Sequence, residues 1–126
     1  MEQVLIRALL EAVEAGHPVV LATVVSTSRS VPRHAGSKML VFADGTTRGT
    51  IGGGEMEARV VRESLDCLRE STPRLIDYQL VDPAQGDPGI CGGEVRLYLE
   101  PHMPTPTILV IGCGHVGRAV IDLAHW

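Results

Sequence analysis

The sequence predicts an α/β domain in which helices flank a small mixed β-sheet, followed by one further strand and helix. Two observations predict this fold class. Apolar residues recur at helical spacing in two segments, and runs rich in β-branched residues lie between and after them. The chain has 126 residues, of which 44% are hydrophobic, so it can form the core of one ordinary domain.

The first elements are an amphipathic helix and three strands. Apolar side chains share one face of residues 2–15, and Gly16 and Pro18 end that helix. Val19–Thr27 is a β-branched run, which is typical of a buried strand. The dipeptide Asp44-Gly45 predicts a tight turn, so the second and third strands are expected to form a hairpin.

Glycine-rich segments precede the later elements. Gly52-Gly53-Gly54 comes before the second segment with helical periodicity, and Cys91-Gly92-Gly93 comes before a strand in which apolar and polar residues alternate. In chain order the predicted elements are a helix over 2–15, strands over 19–27, 37–43 and 46–51, a helix over 55–70, strands over 74–81, 94–100 and 107–111, and a helix over 118–123.

Composition excludes several classes of protein. The formal net charge of −4 argues against a general nucleic-acid binder, and the four aromatic residues argue against base stacking. The three cysteines are an odd number and widely spaced, so reduced thiols are expected rather than a disulfide framework. No apolar run is long enough to cross a membrane, and no signal peptide is evident. A soluble, cytoplasmic protein is therefore expected.

A proline-rich segment divides the sequence. Three prolines within residues 101–106 predict a stiff linker between a domain over 1–100 and a second unit over 107–126. That second unit contains Gly112, Gly114 and Gly117 in a G-x-G-x-x-G pattern between a predicted strand and a predicted helix. The pattern is typical of the start of a Rossmann-type, NAD(P)-binding domain, of which this unit is expected to be only the opening.

The triple glycine is the first candidate binding site. Glycines allow backbone N–H groups to approach a ligand closely, and the helix N-terminus that follows favours an anion. The alternative is a tight turn without a ligand. Glu55 suits the first turn of a helix, and it would repel an anion unless it accepts hydrogen bonds from N–H groups of the ligand.

Two further segments carry candidate binding residues. In the polar segment 26–36, Arg29 and Arg33 could bind a phosphate together, with serine hydroxyls as further contacts. The alternative is a solvent-exposed loop that binds no ligand. Cys91 is either an accessible, reactive thiol between a loop and two glycines or a buried inert one. The cysteines and histidines have no zinc-site spacing, and no catalytic triad or carboxylate pair is evident.

Taken in order, these segments resemble the XdhC/CoxI family, the accessory proteins of xanthine dehydrogenase and related molybdenum hydroxylases. The family consists of an N-terminal XdhC/CoxI domain followed by a Rossmann-type domain. The matching segments are Ala22–Ser28, Ser30–Arg33, Ala35-Gly36 with Lys38-Met39, Gly49–Gly54, Cys91–Gly93 and Leu109–Arg118.

The resemblance implies a chaperone rather than a catalyst. Such a protein binds the molybdenum cofactor (molybdopterin) and passes it to a xanthine dehydrogenase-type enzyme after sulfuration by a cysteine desulfurase. From the residues themselves we expect no catalytic residue and no metal site. Family members often carry cysteine directly after the triple glycine, where this chain has Glu55, so Cys91 is the matching thiol that remains. The cofactor-binding candidates are Ser30, Arg33, Gly52, Gly53, Gly54, Glu55, Cys91, Gly92 and Gly93.

Two other functions remain open from the sequence. One is an oxidoreductase fragment that binds NAD(P) through Gly112, Gly114 and Gly117. The sequence lacks the acidic residue that binds the ribose of such a cofactor, which argues against this function. The other is a non-catalytic module that dimerises through the apolar strand predicted over 107–111, because an unpaired strand edge favours pairing. A homo-oligomer is expected.

Overall fold

An antiparallel sheet forms the centre of the molecule. The computed structural model describes residues 2–28, 34–81 and 91–126, and only the backbone at positions 80, 81, 91 and 92. In chain order the described elements are α1 (Glu2–Glu14), β1 (Val19–Ser28), β2 (Lys38–Phe42), β3 (Thr47–Gly49), α2 (Gly54–Glu70), β4 (Arg74–Val81), β5 (Cys91–His102) and α3 (His115–Ala124). The strand order across the sheet is β3-β2-β1-β5-β4, so β1 is the central strand.

The main core lies between α2 and one face of the sheet. Successive residues of a strand point to opposite faces, so alternate residues of β1, β2 and β5 meet the apolar side of α2. Only one face of β5 is covered in this way, which explains why apolar and polar residues alternate along that strand. The buried side chains of this core are Val20, Ala22, Val24, Met39, Val41, Ile51, Met56, Val60, Cys67, Leu68, Ile76, Val95, Leu97 and Leu99.

A smaller core lies on the opposite face, where α1 covers β1 and β2. Leu5, Ala8 and Ala12 of the helix are buried against Val19 and Leu40. The helix therefore buries only part of the apolar face that its sequence predicts, since Val4 and Val13 of that face are exposed.

Polar contacts fix the direction of α2 across the sheet. Arg74, the first residue of β4, donates hydrogen bonds to Glu63 at 2.6 Å and to Glu70 at 2.9 Å, both in the second half of α2. Nearer the start of the helix, Arg59 donates to the carbonyl of Asp77 at 3.2 Å. The helix therefore runs antiparallel to β4, and its first turn lies at the end of the sheet where β4 finishes.

The α/β class is confirmed, but several details differ from the predictions. Every pairing among the described strands is antiparallel, whereas a mixed sheet was expected. β5 is longer than predicted, since it begins at Cys91 and runs through Pro101 to His102. Residues 107–111 form no strand, although their sequence predicts one. A strand needs a hydrogen-bonded neighbour, and no described strand lies beside this segment.

The last helix, α3, begins three residues before its predicted start. None of its residues is buried, and Val116, Val120, Ile121 and Leu123 are exposed. In the described part of the chain, no helix is both long and apolar enough to span a membrane.

Candidate functional site

The segments that carry the predicted binding residues meet at one end of the sheet. The register pairs Ser28 at the end of β1 with Glu94, close to the start of β5. It also pairs Gly49, at the end of β3, with Met39 near the start of β2. Since α2 follows β3 here, the triple glycine lies at the same end. We call this the loop end of the sheet; the Asp44-Gly45 turn between β2 and β3 lies at the opposite end.

Ser30 and Arg33 fall outside the described residues, but the residues on either side of them are at the loop end. The Ser28 hydroxyl accepts a hydrogen bond from the N–H of Glu94 at 3.1 Å, which joins β1 to β5. On the other side, the N–H of Gly36 donates to the carbonyl of Val24 at 2.7 Å. The described residues on both sides of this segment therefore lie at this end.

Lys38 holds the first residues of α1 against the same end. Its Nζ donates to Glu2 Oε1 and to the carbonyl of Gly36, each at 3.0 Å. The ammonium group is therefore already paired with a carboxylate, and its structural role is to connect α1 to the chain that leads into β2.

Cys91, Gly92 and Gly93 belong to β5 rather than to a loop before it. The register pairs Val81 with Cys91 and Leu80 with Gly93, so Gly92 is an additional residue at a shift in the pairing with β4. Such an irregularity is a β-bulge, which bends a strand and is common next to functional sites. The Cys91 side chain lies outside what the structure describes, so its reactivity stays a prediction.

The triple glycine adopts a conformation that other residues rarely accept. Gly52, Gly53 and Gly54 have φ angles of 145°, 87° and 64°, in the region that side chains disfavour. A Cβ atom added to Gly53 or Gly54 would meet no atom within 4 Å. The space beside these two glycines is therefore open, and their backbone can be approached closely.

Glu57, the fourth residue of α2, organises this loop. Its Oε1 accepts hydrogen bonds from the Thr50 hydroxyl at 2.5 Å, the Ile51 N–H at 3.1 Å and the Gly53 N–H at 3.0 Å. The Thr50 hydroxyl oxygen in turn accepts the Gly52 N–H at 3.3 Å. No sequence motif indicated Glu57; the signal that could have found it is an acidic residue in the first turn of a predicted helix.

These hydrogen bonds keep Glu57 ionised. Its partial burial is the largest single influence and raises the pKa of the carboxyl group. The hydrogen bonds from Thr50 and from the backbone N–H groups of Ile51, Gly53 and Gly52 lower it by more in total. The pKa of Glu57 is therefore below the ordinary glutamate value of 4.5, and the group is a carboxylate at neutral pH.

Glu55 lies in the same turn but makes no comparable contact. It is exposed, next to the open side of Gly54. Its carboxylate suits the helix N-terminus, and its exposure leaves it available to a ligand. Its role as a binding residue stays a prediction.

The second glycine motif has part of the geometry that its sequence predicts. α3 begins directly after Gly114, and Gly112 has a φ angle of 104°. A Cβ atom on Gly117 would collide with the carbonyl oxygen of Gly112, so only glycine fits there. This close approach is the role of the third glycine in a dinucleotide-binding motif. No described strand pairs with the segment before it.

The remaining described polar groups do not form a metal site. Within the described ranges, no three His, Cys, Asp or Glu residues are grouped so that they could hold a metal ion. Cys67 is fully buried in α2, and burial raises the pKa of its thiol. It is therefore an inert core residue, as its apolar neighbours in the sequence predict.

A family profile and a solved structure match this chain. The profile of the XdhC and CoxI family matches residues 12–79, more than half of the 126 residues. The crystal structure described as a xanthine dehydrogenase from Bacillus halodurans is 31% identical, with a TM-score of 0.61, and the match covers 75% of this chain and 29% of that one.

Two Escherichia coli K12 proteins are also similar. The uncharacterized protein YqeB is 40% identical over 108 residues, which cover 85% of this chain and 20% of YqeB. The molybdenum cofactor insertion chaperone PaoD is 29% identical over 112 residues, which cover 85% of this chain and 34% of PaoD. The chain thus spans only a fifth to about a third of the length of these relatives.

Proposed function

Because the chain belongs to the XdhC and CoxI family, we propose that it is an accessory chaperone that binds the molybdenum cofactor and delivers it to a molybdoenzyme. The similarity to PaoD, a chaperone that inserts this cofactor, supports the proposal. The family match covers β1, β2, β3, α2 and most of β4.

One observation carries the assignment of the site. The three segments with candidate residues, which are far apart in the sequence, begin or end at the loop end of the sheet. Ser28, Gly49 and Gly93 mark their positions there through the strand register. A ligand bound at this end could therefore contact all three segments at once.

The open space beside Gly53 and Gly54, which we call the open glycine face, is compatible with binding of the molybdenum cofactor. The cofactor carries a phosphate and a pterin with hydrogen-bonding edges, so a binding site needs backbone that can be approached closely and groups that bind an anion. The open sides of Gly53 and Gly54 meet the first need, and the first turn of α2 helps to meet the second.

Each candidate residue has a defined part in the proposed site. Arg33 would bind the phosphate through its planar guanidinium, and Ser30 would donate a hydroxyl hydrogen bond. Glu55 would accept hydrogen bonds from pterin N–H groups. Cys91, Gly92 and Gly93 would contact the side of the cofactor that carries the molybdenum. The bound cofactor supplies molybdenum redox chemistry only after transfer to the enzyme that uses it.

The proposal extends to partners and location. The receiving enzyme would be a molybdenum hydroxylase of the xanthine dehydrogenase type, and a cysteine desulfurase would sulfurate the cofactor before transfer. This exchange would take place in the cytoplasm, between a homo-oligomer of the chaperone and its target. NAD(P) binding at Gly112, Gly114 and Gly117 forms no part of the proposal, since the similarities lend it no support.

Cofactor binding by two variants at the loop end tests the site. Arg33→Ala and Gly53→Asp should each weaken binding of the molybdenum cofactor by at least about tenfold, because they remove a charged contact or place a carboxylate on the glycine face. Equilibrium titration of the purified chain under anaerobic conditions measures the affinity.

Matched controls distinguish the site from general damage. Arg69→Ala removes an exposed arginine from the last turn of α2, and Gly45→Asp changes a glycine with a φ angle of 82° and open space around it. Both lie away from the loop end and should leave affinity unchanged. Failure of the unaltered chain to bind at micromolar concentration, or equal losses in variants and controls, would contradict the proposal.

A further inference from the structure

We propose that Glu57 is a positioning residue that holds the triple-glycine loop in the conformation that receives the cofactor, an inference that rests on the function proposed above. Glu57 lies one helical turn into α2, and its carboxylate points back toward the loop that precedes the helix. It therefore acts on the loop backbone, whereas the ligand contacts are made by other groups.

The contacts of Glu57 converge on one oxygen atom. Oε1 accepts one O–H and two N–H donors within 3.1 Å, from Thr50, Ile51 and Gly53. Hydrogen bonds to an ionised acceptor are about twice as strong as those between neutral groups. The Thr50 hydroxyl extends the network to the N–H of Gly52. Four consecutive residues are thus connected, directly or through Thr50, to a single carboxylate.

The loop needs such a contact because its glycines provide no side-chain interactions. Glycine loses more conformational freedom on ordering than any other residue. Ile51 before the loop is fully buried, and Met56 after it is almost so. These two anchors fix where the loop begins and ends. Between them, the hydrogen bonds to Glu57 are the described contacts that fix the backbone conformation.

Glu57 also determines which backbone donors face a ligand. The N–H groups of Ile51 and Gly53 are occupied by its carboxylate, so they are not available to the cofactor. The first N–H groups of a helix have no acceptor within the helix. The donors offered to the cofactor are therefore those of Gly54 and Glu55 at the start of α2, beside the open face of the two last glycines.

Amide hydrogen exchange in the cofactor-free protein tests the contact directly. Glu57→Ala should accelerate exchange at the Ile51 and Gly53 amides by about tenfold or more relative to the control Glu11→Ala, an exposed glutamate of α1. Glu57→Gln keeps an acceptor oxygen but loses the charge, so its exchange rates should lie between those of wild type and Glu57→Ala.

The pH dependence of the same amides identifies the carboxylate. In wild type, the amide proton shifts of Ile51 and Gly53 should titrate together with a midpoint below 4.5, as the lowered pKa of Glu57 requires. In Glu57→Gln that titration should vanish. Should Glu57→Ala fail to fold, Thr50→Val removes one donor at nearly constant volume and should accelerate exchange at Gly52.

Cofactor affinity completes the experiment and separates the two proposals. Glu57→Ala should weaken cofactor binding about tenfold, with partial recovery in Glu57→Gln and no change in Glu11→Ala. Unchanged amide exchange in Glu57→Ala, or no titration of the two amides in wild type, would overturn the positioning role. This holds even if the variant binds the cofactor more weakly. Wild type that shows the exchange and titration but binds no cofactor would overturn the proposed function instead, and with it the purpose assigned to the loop.

Discussion

Gly45 and Gly49 have nearly the same backbone conformation but very different surroundings. Their φ angles are 82° and 81°. A Cβ atom on Gly45 would meet nothing within 4 Å, whereas one on Gly49 would lie 2.7 Å from the Lys38 carbonyl oxygen and 2.9 Å from Leu5 Cδ1. Gly49 therefore allows β3, β2 and α1 to approach one another just before the triple glycine.

This difference predicts unequal effects of one substitution. Gly45→Ala should lower the free energy of unfolding by about 1–2 kcal/mol, because alanine disfavours a left-handed conformation. Gly49→Ala should lower it by about 2–5 kcal/mol, because steric overlap adds to that strain. Urea unfolding followed by circular dichroism measures both. Equal losses would contradict the packing described for Gly49.

At the residue scale, sequence patterns indicated the triple glycine as a candidate site but did not indicate Glu57, the carboxylate that accepts its hydrogen bonds. Three consecutive glycines attract attention in a sequence because ordering them costs more conformational entropy than an ordinary turn requires. Glu57 contacts Thr50, Ile51 and Gly53, up to seven positions earlier, only after the loop has turned back on the helix. No periodicity encodes that turn, so the contact could be found only in the structure.

At the element scale, the predictions were accurate where a segment determines its own conformation. α1, β1, α2 and β4 lie within one residue of their predicted bounds, because periodicity and terminating residues are local. Residues 107–111 have the apolar composition of a strand and form none. Strand formation depends on a neighbour, which composition does not reveal. The antiparallel arrangement likewise results from pairing between distant segments.

The two leucines on neighbouring strands provide a test of the core. Leu97 of β5 is fully buried beneath α2, whereas Leu75 of β4 is 61% exposed on the other face. Leu97→Ala should lower the free energy of unfolding by about 2–5 kcal/mol, since it leaves a cavity. Leu75→Ala should cost less than about 1 kcal/mol. Thermal and urea unfolding measure both; a larger loss for Leu75→Ala would contradict the assigned faces.

At the scale of the whole molecule, antiparallel pairing brings the segments beside the candidate residues to one end of the sheet. The sheet order β3-β2-β1-β5-β4 brings the end of β1, the start of β2, the end of β3, the end of β4 and the start of β5 to one end. The turn at Asp44-Gly45 is at the other end of the sheet, so its residues serve as an internal control in binding experiments. We propose that this loop end, with Glu57 holding its glycines, receives the molybdenum cofactor.

Backbone amide NMR during titration with the molybdenum cofactor locates the binding site on the protein. We predict shifts at the loop end, in residues 28–38, 50–57 and 91–94, at cofactor concentrations that leave residues 43–47 and 115–124 unchanged. Shifts confined to residues 43–47 or to α3, or no shift at any amide under anaerobic conditions with cofactor in excess, would contradict the account.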